Sequence, residues 1–202
     1  MGISIGNIMD KIGTFVNIKN NNLYFNGCNS CDGDCCNGAK GFAISPLILD
    51  DFEDVYKNFA IIFNLNAQHI KAYVVLNDGK SHCKYYLNNK CSIYEERTPA
   101  CKLYPVSPYF EHILVDTQCP SINTQFGEII TKDAKLHNDF YTKRLDNFNE
   151  KLKLSYKFYD NLDKRYFEKI GNILGIDIFK YTKNNDNKYI QMHLKSLKHI
   201  NL

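Results

Sequence analysis

The stretch Cys28-Asn-Ser-Cys31-Asp-Gly-Asp-Cys35-Cys36 places four thiols within nine residues. The four remaining cysteines of the chain are Cys83, Cys91, Cys101 and Cys119. Thiols at such spacing either form disulfides or bind metal ions. Whether these thiols form disulfides or bind metal ions decides what kind of protein this is.

The setting of the thiols favours metal ligation. The first residues, Met-Gly-Ile-Ser-Ile-Gly, do not resemble a secretory signal peptide, and no apolar run approaches the length of a bilayer-spanning helix. We therefore expect a cytoplasmic protein without a membrane partner, in which thiols stay reduced. The net charge of +3 is too small to predict a nucleic-acid partner.

The spacing within the first cluster indicates how the thiols are used. Two residues between Cys28 and Cys31 allow a tight turn to direct both sulfurs at one ion. The adjacent Cys35 and Cys36 point in different directions, so they serve either two separate metal sites or one multinuclear cluster. Eight thiols are enough for two four-ligand sites. Burial as inert core thiols explains one or two cysteines but not the dense cluster, and a metal that only stabilises the fold is an open alternative.

Hydrophobic periodicity predicts both helices and strands. The apolar stripe from Asp50 to Asn64 predicts a helix with Asp50 as its N-cap. Further helices are predicted over most of 130–170 and over 189–200. Strands are predicted at 23–25, 70–76 and 111–116, with 83–87 as the hairpin partner of 70–76.

These elements predict an α+β fold. Its centre is a cysteine-rich, loop-dominated metal-binding region with a small antiparallel hairpin, framed by helices. The predicted domains are a cysteine-cluster domain over 1–125 and a helical C-terminal segment over 126–202 that packs on it.

A second cysteine motif follows the first. It runs Cys83-Lys-Tyr-Tyr-Leu-Asn-Asn-Lys-Cys91-Ser-Ile-Tyr94-Glu-Glu-Arg97-Thr-Pro99-Ala-Cys101-Lys102-Leu-Tyr104-Pro105, and Cys119-Pro120 lies beyond it. With Cys28-x2-Cys31-x3-Cys35-Cys36, this motif resembles the YkgJ-like cysteine-cluster family of zinc- or iron-chelating proteins. The resemblance covers roughly residues 24–120, and it departs from the family pattern where Pro99 replaces a proline directly after Arg97.

The motifs imply a set of site residues. The predicted metal ligands are all eight cysteines: Cys28, Cys31, Cys35, Cys36, Cys83, Cys91, Cys101 and Cys119. Because thiolates make a site negative, Arg97 and Lys102 are predicted to donate hydrogen bonds toward sulfur. Arg97 has an equal alternative, which is to cap a turn or pair with a neighbouring glutamate. Tyr94 and Tyr104 are predicted to pack over the site and limit water.

The resemblance also implies a range of functions. The family is similar to flagellin lysine N-methylases, for which an iron–sulfur cluster is implied. We therefore expect an iron–sulfur protein that acts in redox chemistry or in methylation of a protein substrate. The alternatives are a structural zinc-binding module and a protein that holds and passes on zinc or iron. No glycine-rich S-adenosylmethionine motif and no catalytic side-chain set is present, so no catalytic residue is predicted and enzymatic activity stays open.

Overall fold

The computed structural model describes most of the chain. The described residues are 11–12, 15–17, 22–27, 33–40, 44–66, 68–109, 112–123, 125–133, 135–137, 148–173, 175–183 and 185–200. They form two compact units, each built from two separate stretches of sequence. The first unit comprises Met1–Cys35 and Ala100–Phe148, and the second comprises Cys36–Pro99 and Asn149–Leu202.

The first unit contains two antiparallel sheets. The first sheet has the order β1-β2-β10-β9, with β1 at Lys11–Ile12, β2 at Phe15–Asn17, β9 at Val106–Tyr109 and β10 at His112–Asp116. The second sheet has the order β11-β3-β12-β13, with β3 at Leu23–Phe25, β11 at Ile122–Asn123, β12 at Glu128–Lys132 and β13 at Lys135–Leu136.

The core of the first unit joins these two sheets. Its buried members are Leu23, Leu103, Val106, Val115 and Ile130. Leu103 ends the short helix α2, Pro99–Leu103, whose first residue still belongs to the second unit. The core therefore fixes the end of α2 against strands that precede and follow the cysteine motifs.

The second unit is built on a five-stranded antiparallel sheet. Its order is β14-β15-β5-β6-β4, with β4 at Ile44–Leu47, β5 at Ala60–Leu65, β6 at Ile70–Val75, β14 at Phe167–Ile173 and β15 at Ile176–Tyr181. A separate two-stranded hairpin pairs β7, Tyr86–Leu87, with β8, Lys90–Cys91. The helices are α1 at Phe52–Val55, α3 at Phe148–Asp160 and α4 at Lys188–Ser196.

Helix α4 is fixed to this sheet by a buried histidine. His193 is fully buried, and its Nδ1 donates to the carbonyl of Ile61 at 2.8 Å while its Nε2 accepts from the N–H of Tyr181 at 2.9 Å. Ser196 Oγ accepts from the N–H of Ile61 at 2.9 Å. Burial lowers the pKa of His193 to about 4, so its imidazole is neutral near pH 7 and suited to these two hydrogen bonds.

The structure contradicts the predicted α+β fold with a helical C-terminal half. The described part of the chain is mostly β-sheet with few, short helices, and its C-terminal half contributes β14 and β15 to the large sheet. The predicted helix over 130–170 is wrong at both ends: β12 and β13 occupy its start and β14 its end, while α3 holds part of its middle. Residues 138–147 lie outside the described residues.

The predicted helix over 50–64 is also wrong. Helix α1 covers Phe52–Val55 only and its N-cap is Asp51, while β5 begins at Ala60. The residues from Ala60 to Phe63 are all buried, so the apolar run is a strand covered on both faces. The β-branched residues Ile61 and Ile62 favour an extended chain. The spacing of apolar residues alone cannot distinguish a strand buried on both faces from the apolar stripe of a helix.

Other predicted elements agree with the structure in part. The strands at 23–25, 70–76 and 111–116 are confirmed as β3, β6 and β10, and the last helix is confirmed as α4. The hairpin between 70–76 and 83–87 is wrong, because β6 pairs with β4 and β5 while β7 pairs with β8. The division into domains at residue 125 stays a prediction, since contact units do not establish which segments fold independently.

Among the residues that the structure describes, none of the helices has the length and apolar character that crossing a bilayer requires.

Candidate metal centre

The first cysteine motif begins beside the turn that carries Cys119. Strand β3 pairs antiparallel with β11, which sets Phe25 opposite Ile122. The next residues continue this contact: the N–H of Asn26 donates to the carbonyl of Ser121 at 2.9 Å, and Ser121 Oγ donates to the carbonyl of Gly27. Gly27 has φ +80°, a left-handed conformation that glycine adopts without strain. The backbone therefore reaches the residue before Cys28 while still bonded to Ser121.

Hydrogen bonds hold the turn around Cys119, and Cys119 itself is buried. The N–H of Cys119 donates to the carbonyl of Asp116 at 3.2 Å, and the carbonyl of Cys119 accepts from the N–H of Ile122 at 2.9 Å. Oδ1 of Asp116 accepts from the N–H of Gln118 at 3.0 Å, which is an Asx-type turn. Cys119 is only 4% exposed, so its sulfur is held in a site with little access for water.

Tyr104 connects this turn to Cys35. Its hydroxyl donates to Oδ2 of Asp116 at 2.9 Å. Burial raises the pKa of Tyr104 far above its ordinary value, and the charges of Asp116, Cys119 and Cys35 act in the same direction. Cys35 and Cys119 therefore both lie within electrostatic range of the half-buried Tyr104 phenol, although 84 positions separate them in the sequence (119 − 35).

Asp116 is a site residue that the sequence analysis missed. Its side chain is 9% exposed and links Tyr104 to the Cys119 turn through the two hydrogen bonds described above. The available signal was a carboxylate at the end of a predicted strand, three residues before a cysteine. An aspartate there has many ordinary uses in turns, so sequence alone gave no reason to assign it to the site.

The described cysteines are divided between the two units. Cys35 is in the first unit and Cys36 is in the second, although both lie in one 3-10 turn, Asp34–Cys36. The first unit also contains Cys101, half-buried on α2, and Cys119. The second unit also contains Cys83 and Cys91, both half-buried. Cys28 and Cys31 belong to the first unit in sequence and lie outside the described residues.

Within the second unit, Cys36 lies opposite Cys83. The N–H of Cys83 donates to the carbonyl of Cys36 at 2.6 Å, and the N–H of Gly38 donates to the carbonyl of Ser81 at 2.9 Å. Asn37 and His82 form an antiparallel bridge between these two bonds. Cys91 lies in the separate hairpin, where it pairs with Tyr86.

The remaining predicted site residues have other neighbours. The guanidinium of Arg97 lies 3.5 Å from the centre of the Tyr94 ring, and its Nε donates to the carbonyl of Tyr94 at 2.7 Å. Tyr94 is 49% exposed. Lys102 lies half-buried in the last turn of α2. The contacts of Arg97 match the turn-capping alternative, and its role toward sulfur stays a prediction.

The donor set fits a thiolate-bound metal. Cysteine sulfur is a soft ligand that suits zinc and iron–sulfur clusters. Within the described ranges, no three Cys, His, Asp or Glu side chains lie together in a metal-binding group.

Comparison with known proteins identifies the family. The profile of the CxxCxxCC family, described as "putative zinc- or iron-chelating domain", matches residues 27–127, which is half of the chain. That name has two residues before the double cysteine, whereas this chain has three, Asp32, Gly33 and Asp34. Neither a curated protein nor a solved structure matches the chain. The segment from Gly27 to Gly127 contains all eight cysteines, and the chain belongs to the CxxCxxCC family of metal-chelating domains.

Proposed function

We propose that this chain is an iron–sulfur protein with one cluster in its first unit, held by the thiolates of Cys28, Cys31, Cys35 and Cys119. The observation that carries the proposal is the bonding of Asn26 and Gly27 to Ser121. It brings the start of the Cys-x2-Cys motif to the turn that holds Cys119. The family supports metal chelation by this segment in general terms.

Two further observations favour this ligand set. The charges of Cys119 and Cys35 both raise the pKa of Tyr104, which supports a site that includes both thiols. Pro120 directly follows Cys119, and a Cys-Pro ending is common in cluster-binding motifs. Cys101 is the alternative fourth ligand, because it lies in the first unit on α2, three residues before Tyr104.

The proposal has one four-thiolate site instead of two. Each such site requires at least two cysteines from outside the described residues, because no three described ligand side chains lie together. Cys28 and Cys31 are the only cysteines there. One complete site uses both, which leaves Cys36, Cys83 and Cys91 of the second unit without a role in it.

The residues around the site would control water and charge. The Tyr104–Asp116 hydrogen bond closes the space beside Cys119 and keeps the turn fixed. A less hydrated surrounding strengthens the electrostatic influence of every group on a cluster. Lys102 supplies a half-buried cation next to Cys101, which would offset part of the negative charge of the thiolates.

A bound cluster would supply one-electron redox chemistry, and this is the activity that we propose in a reducing compartment such as the cytoplasm. Methylation of a protein substrate rests on the resemblance to flagellin lysine N-methylases alone. A zinc ion in the same four thiolates is the alternative occupant, and it would make the protein a structural or metal-handling module.

Anaerobic purification followed by absorption spectroscopy and by iron, zinc and acid-labile sulfide analysis tests the proposal. A coloured protein with iron and sulfide in equal amounts is expected. A colourless protein with one zinc ion per chain would contradict the iron–sulfur cluster and support the structural zinc alternative. A protein that binds neither metal after reconstitution would remove the proposed site altogether.

A further inference from the structure

The second unit has a small cavity at the end of β6. Val75 is the last residue of β6, and it lines the cavity together with the following Leu76 and with Phe59, which precedes β5. All three side chains are buried. The volume of the cavity is about 100 Å³, which exceeds the ~10–15 Å³ that one water molecule needs and falls short of the ~300 Å³ at which pockets for drug-sized ligands begin. The cavity therefore suits a molecule of a few heavy atoms, and part of its lining is apolar.

A lysine and a histidine supply the polar part of the lining. Lys84 comes from the loop before β7 and His199 from the turn after α4, and Lys84 Nζ donates to Nδ1 of His199 at 3.2 Å. An ammonium group has three N–H donors, so this bond leaves two of them for a ligand. The ring centre of Tyr85 lies 5.0 Å from the same Nζ, which is within cation–π distance. The ammonium of Lys84 is therefore held in position at the cavity without a ligand.

Positive charge accumulates beside the cavity. Burial lowers the pKa of His199, and the charges of Lys84 and Lys198 act in the same direction, so both ammonium groups lie within electrostatic range of the ring. Among the residues that the structure describes, neither of these two lysines lies within ion-pair distance of a carboxylate. Neighbouring cations repel each other, and a bound anion would reduce this repulsion.

The loop that carries Lys84 is held by contacts of its own. Asp78 also lines the cavity, but its Oδ1 already accepts from the N–H groups of Lys80 at 2.8 Å and Ser81 at 2.6 Å. The ring of His82, another lining residue, stacks on Tyr86 with ring centres 5.0 Å apart and planes 13° apart. The carboxylate is therefore engaged by the loop backbone, and the cation of Lys84 stays available to a ligand.

We propose that this cavity binds a small monocarboxylate, with its carboxylate on the ammonium of Lys84 and its aliphatic part against Phe59, Val75 and Leu76. Charge-assisted hydrogen bonds join an ammonium to a carboxylate more strongly than neutral ones do, and burial of the aliphatic part adds to the affinity. Inorganic phosphate has no apolar part for the floor of the cavity, and an alcohol has no charge for Lys84. None of the described cysteines lines the cavity, so the site does not use the metal ligands.

Equilibrium dialysis of the metal-loaded protein against radiolabelled propionate, at constant ionic strength, tests the proposal. Saturable binding of one propionate per chain is expected, and unlabelled acetate and propionate should displace the label while 1-propanol and propylammonium should not. Lys84→Gln should weaken binding about tenfold or more, because it removes the charge-assisted hydrogen bond. The matched control is Lys90→Gln, which removes an exposed lysine of the neighbouring hairpin and should bind like the unchanged protein.

A second variant acts on the position of the ammonium group. His199→Gln removes the ring that accepts from Lys84 Nζ, so it should also weaken propionate binding while the charge of Lys84 stays. Both variants should keep the metal content and the urea midpoint close to those of the unchanged protein.

Four results would overturn the proposal. The first is the absence of saturable propionate binding. The second is equal weakening by Lys84→Gln and Lys90→Gln, which would show general attraction to a positive surface. The third is displacement of the label by inorganic phosphate at lower concentration than by unlabelled propionate, which would assign the cavity to an inorganic anion. The fourth is loss of metal in Lys84→Gln, which would place this lysine at the metal site.

Discussion

Tyr104 and Asp116 form a part-buried hydrogen bond of 2.9 Å between the phenol hydroxyl and Oδ2 of the carboxylate. Tyr104 directly follows α2, where its N–H donates to the carbonyl of Ala100, and Asp116 ends β10. The bond therefore joins the helix that carries Cys101 to the turn that carries Cys119. In the proposed function, this hydrogen bond holds the Cys119 turn in place and limits the access of water to it.

Removing the phenol hydroxyl should weaken this part of the first unit. In Tyr104→Phe the carboxylate of Asp116 loses its hydroxyl donor while it stays buried, which costs about 1–3 kcal/mol of unfolding free energy. Urea unfolding of the metal-loaded protein measures the loss, and metal release to a chelator should be faster. The matched control is Tyr94→Phe at an exposed ring, which should change stability by less than about 0.5 kcal/mol. Equal effects of the two variants would contradict the role of the bond.

Gly38 should not tolerate a side chain. Gly38→Ala places a methyl group against the carbonyl of Ser81 and close to Lys80, so the two segments must separate. Overpacking of this kind costs roughly 1–3 kcal/mol. The neighbouring exposed Ala39 offers the control Ala39→Ser, expected to be nearly neutral. Urea midpoints compare the variants, and an unaltered midpoint for Gly38→Ala would show that the close approach is absent in solution.

His193 should make the second unit less stable in acid. The folded-state pKa is about 4 against an ordinary value of 6.5, so the unfolded chain binds a proton first as pH falls. The contribution of His193 is complete above pH 6.5 and is lost as pH falls toward 4, with about 2 kcal/mol lost between pH 7 and pH 5. NMR of the imidazole carbons of His193 should report a neutral ring in the folded protein at pH 5. A charged His193 in the folded protein at that pH would refute the assignment.

Asp51 should have the opposite pH dependence. Burial raises the pKa of Asp51 to about 7, and the charges of Asp50 and Asp54 add to this, while the Ile48 backbone and Lys151 oppose it. A raised carboxyl pKa gives stability that is lost as pH rises from 3.8 toward 7. Asp51→Asn should therefore gain on the order of 2 kcal/mol at pH 8 and little near pH 4, after allowance for the partly exposed side chain. The same gain at both pH values, or the same response from exposed Asp54→Asn, would argue against a titrating Asp51.

More of the metal-binding chemistry than of the fold could be predicted from the sequence. Spacing of Cys28, Cys31, Cys35 and Cys36 is a local property of the chain, and it is enough to indicate thiolate ligation. The helix predicted over 50–64 failed because the apolar run from Ala60 to Phe63 satisfies a strand buried on both faces as well as a helix stripe. The pairing of β15 with β5 sets Phe179 opposite Phe63, 116 positions away in the sequence (179 − 63), which no local pattern encodes.

The type of metal ligand could be predicted from the sequence, but the hydrogen-bond partners of the site residues could not. Tyr104 was predicted to limit water at the site, and that role stays a prediction, while its hydrogen bond to Asp116 was not predicted. The separation of Cys35 and Cys36 between two units was not predictable, because it depends on the ladder with Ser81–Cys83. The guanidinium of Arg97 lies over the ring of Tyr94. This contact depends on the conformation of the turn between the two residues, which could not be predicted from the shifted position of Pro99.

The most direct test of the account is the metal content of two cysteine variants prepared anaerobically under identical conditions. Cys119→Ser removes a proposed ligand of the first unit, and Cys91→Ser removes a thiol of the second unit. The account predicts that Cys91→Ser keeps the metal of the unchanged protein and that Cys119→Ser loses most of it. Full metal content in Cys119→Ser together with loss in Cys91→Ser would contradict the proposed site.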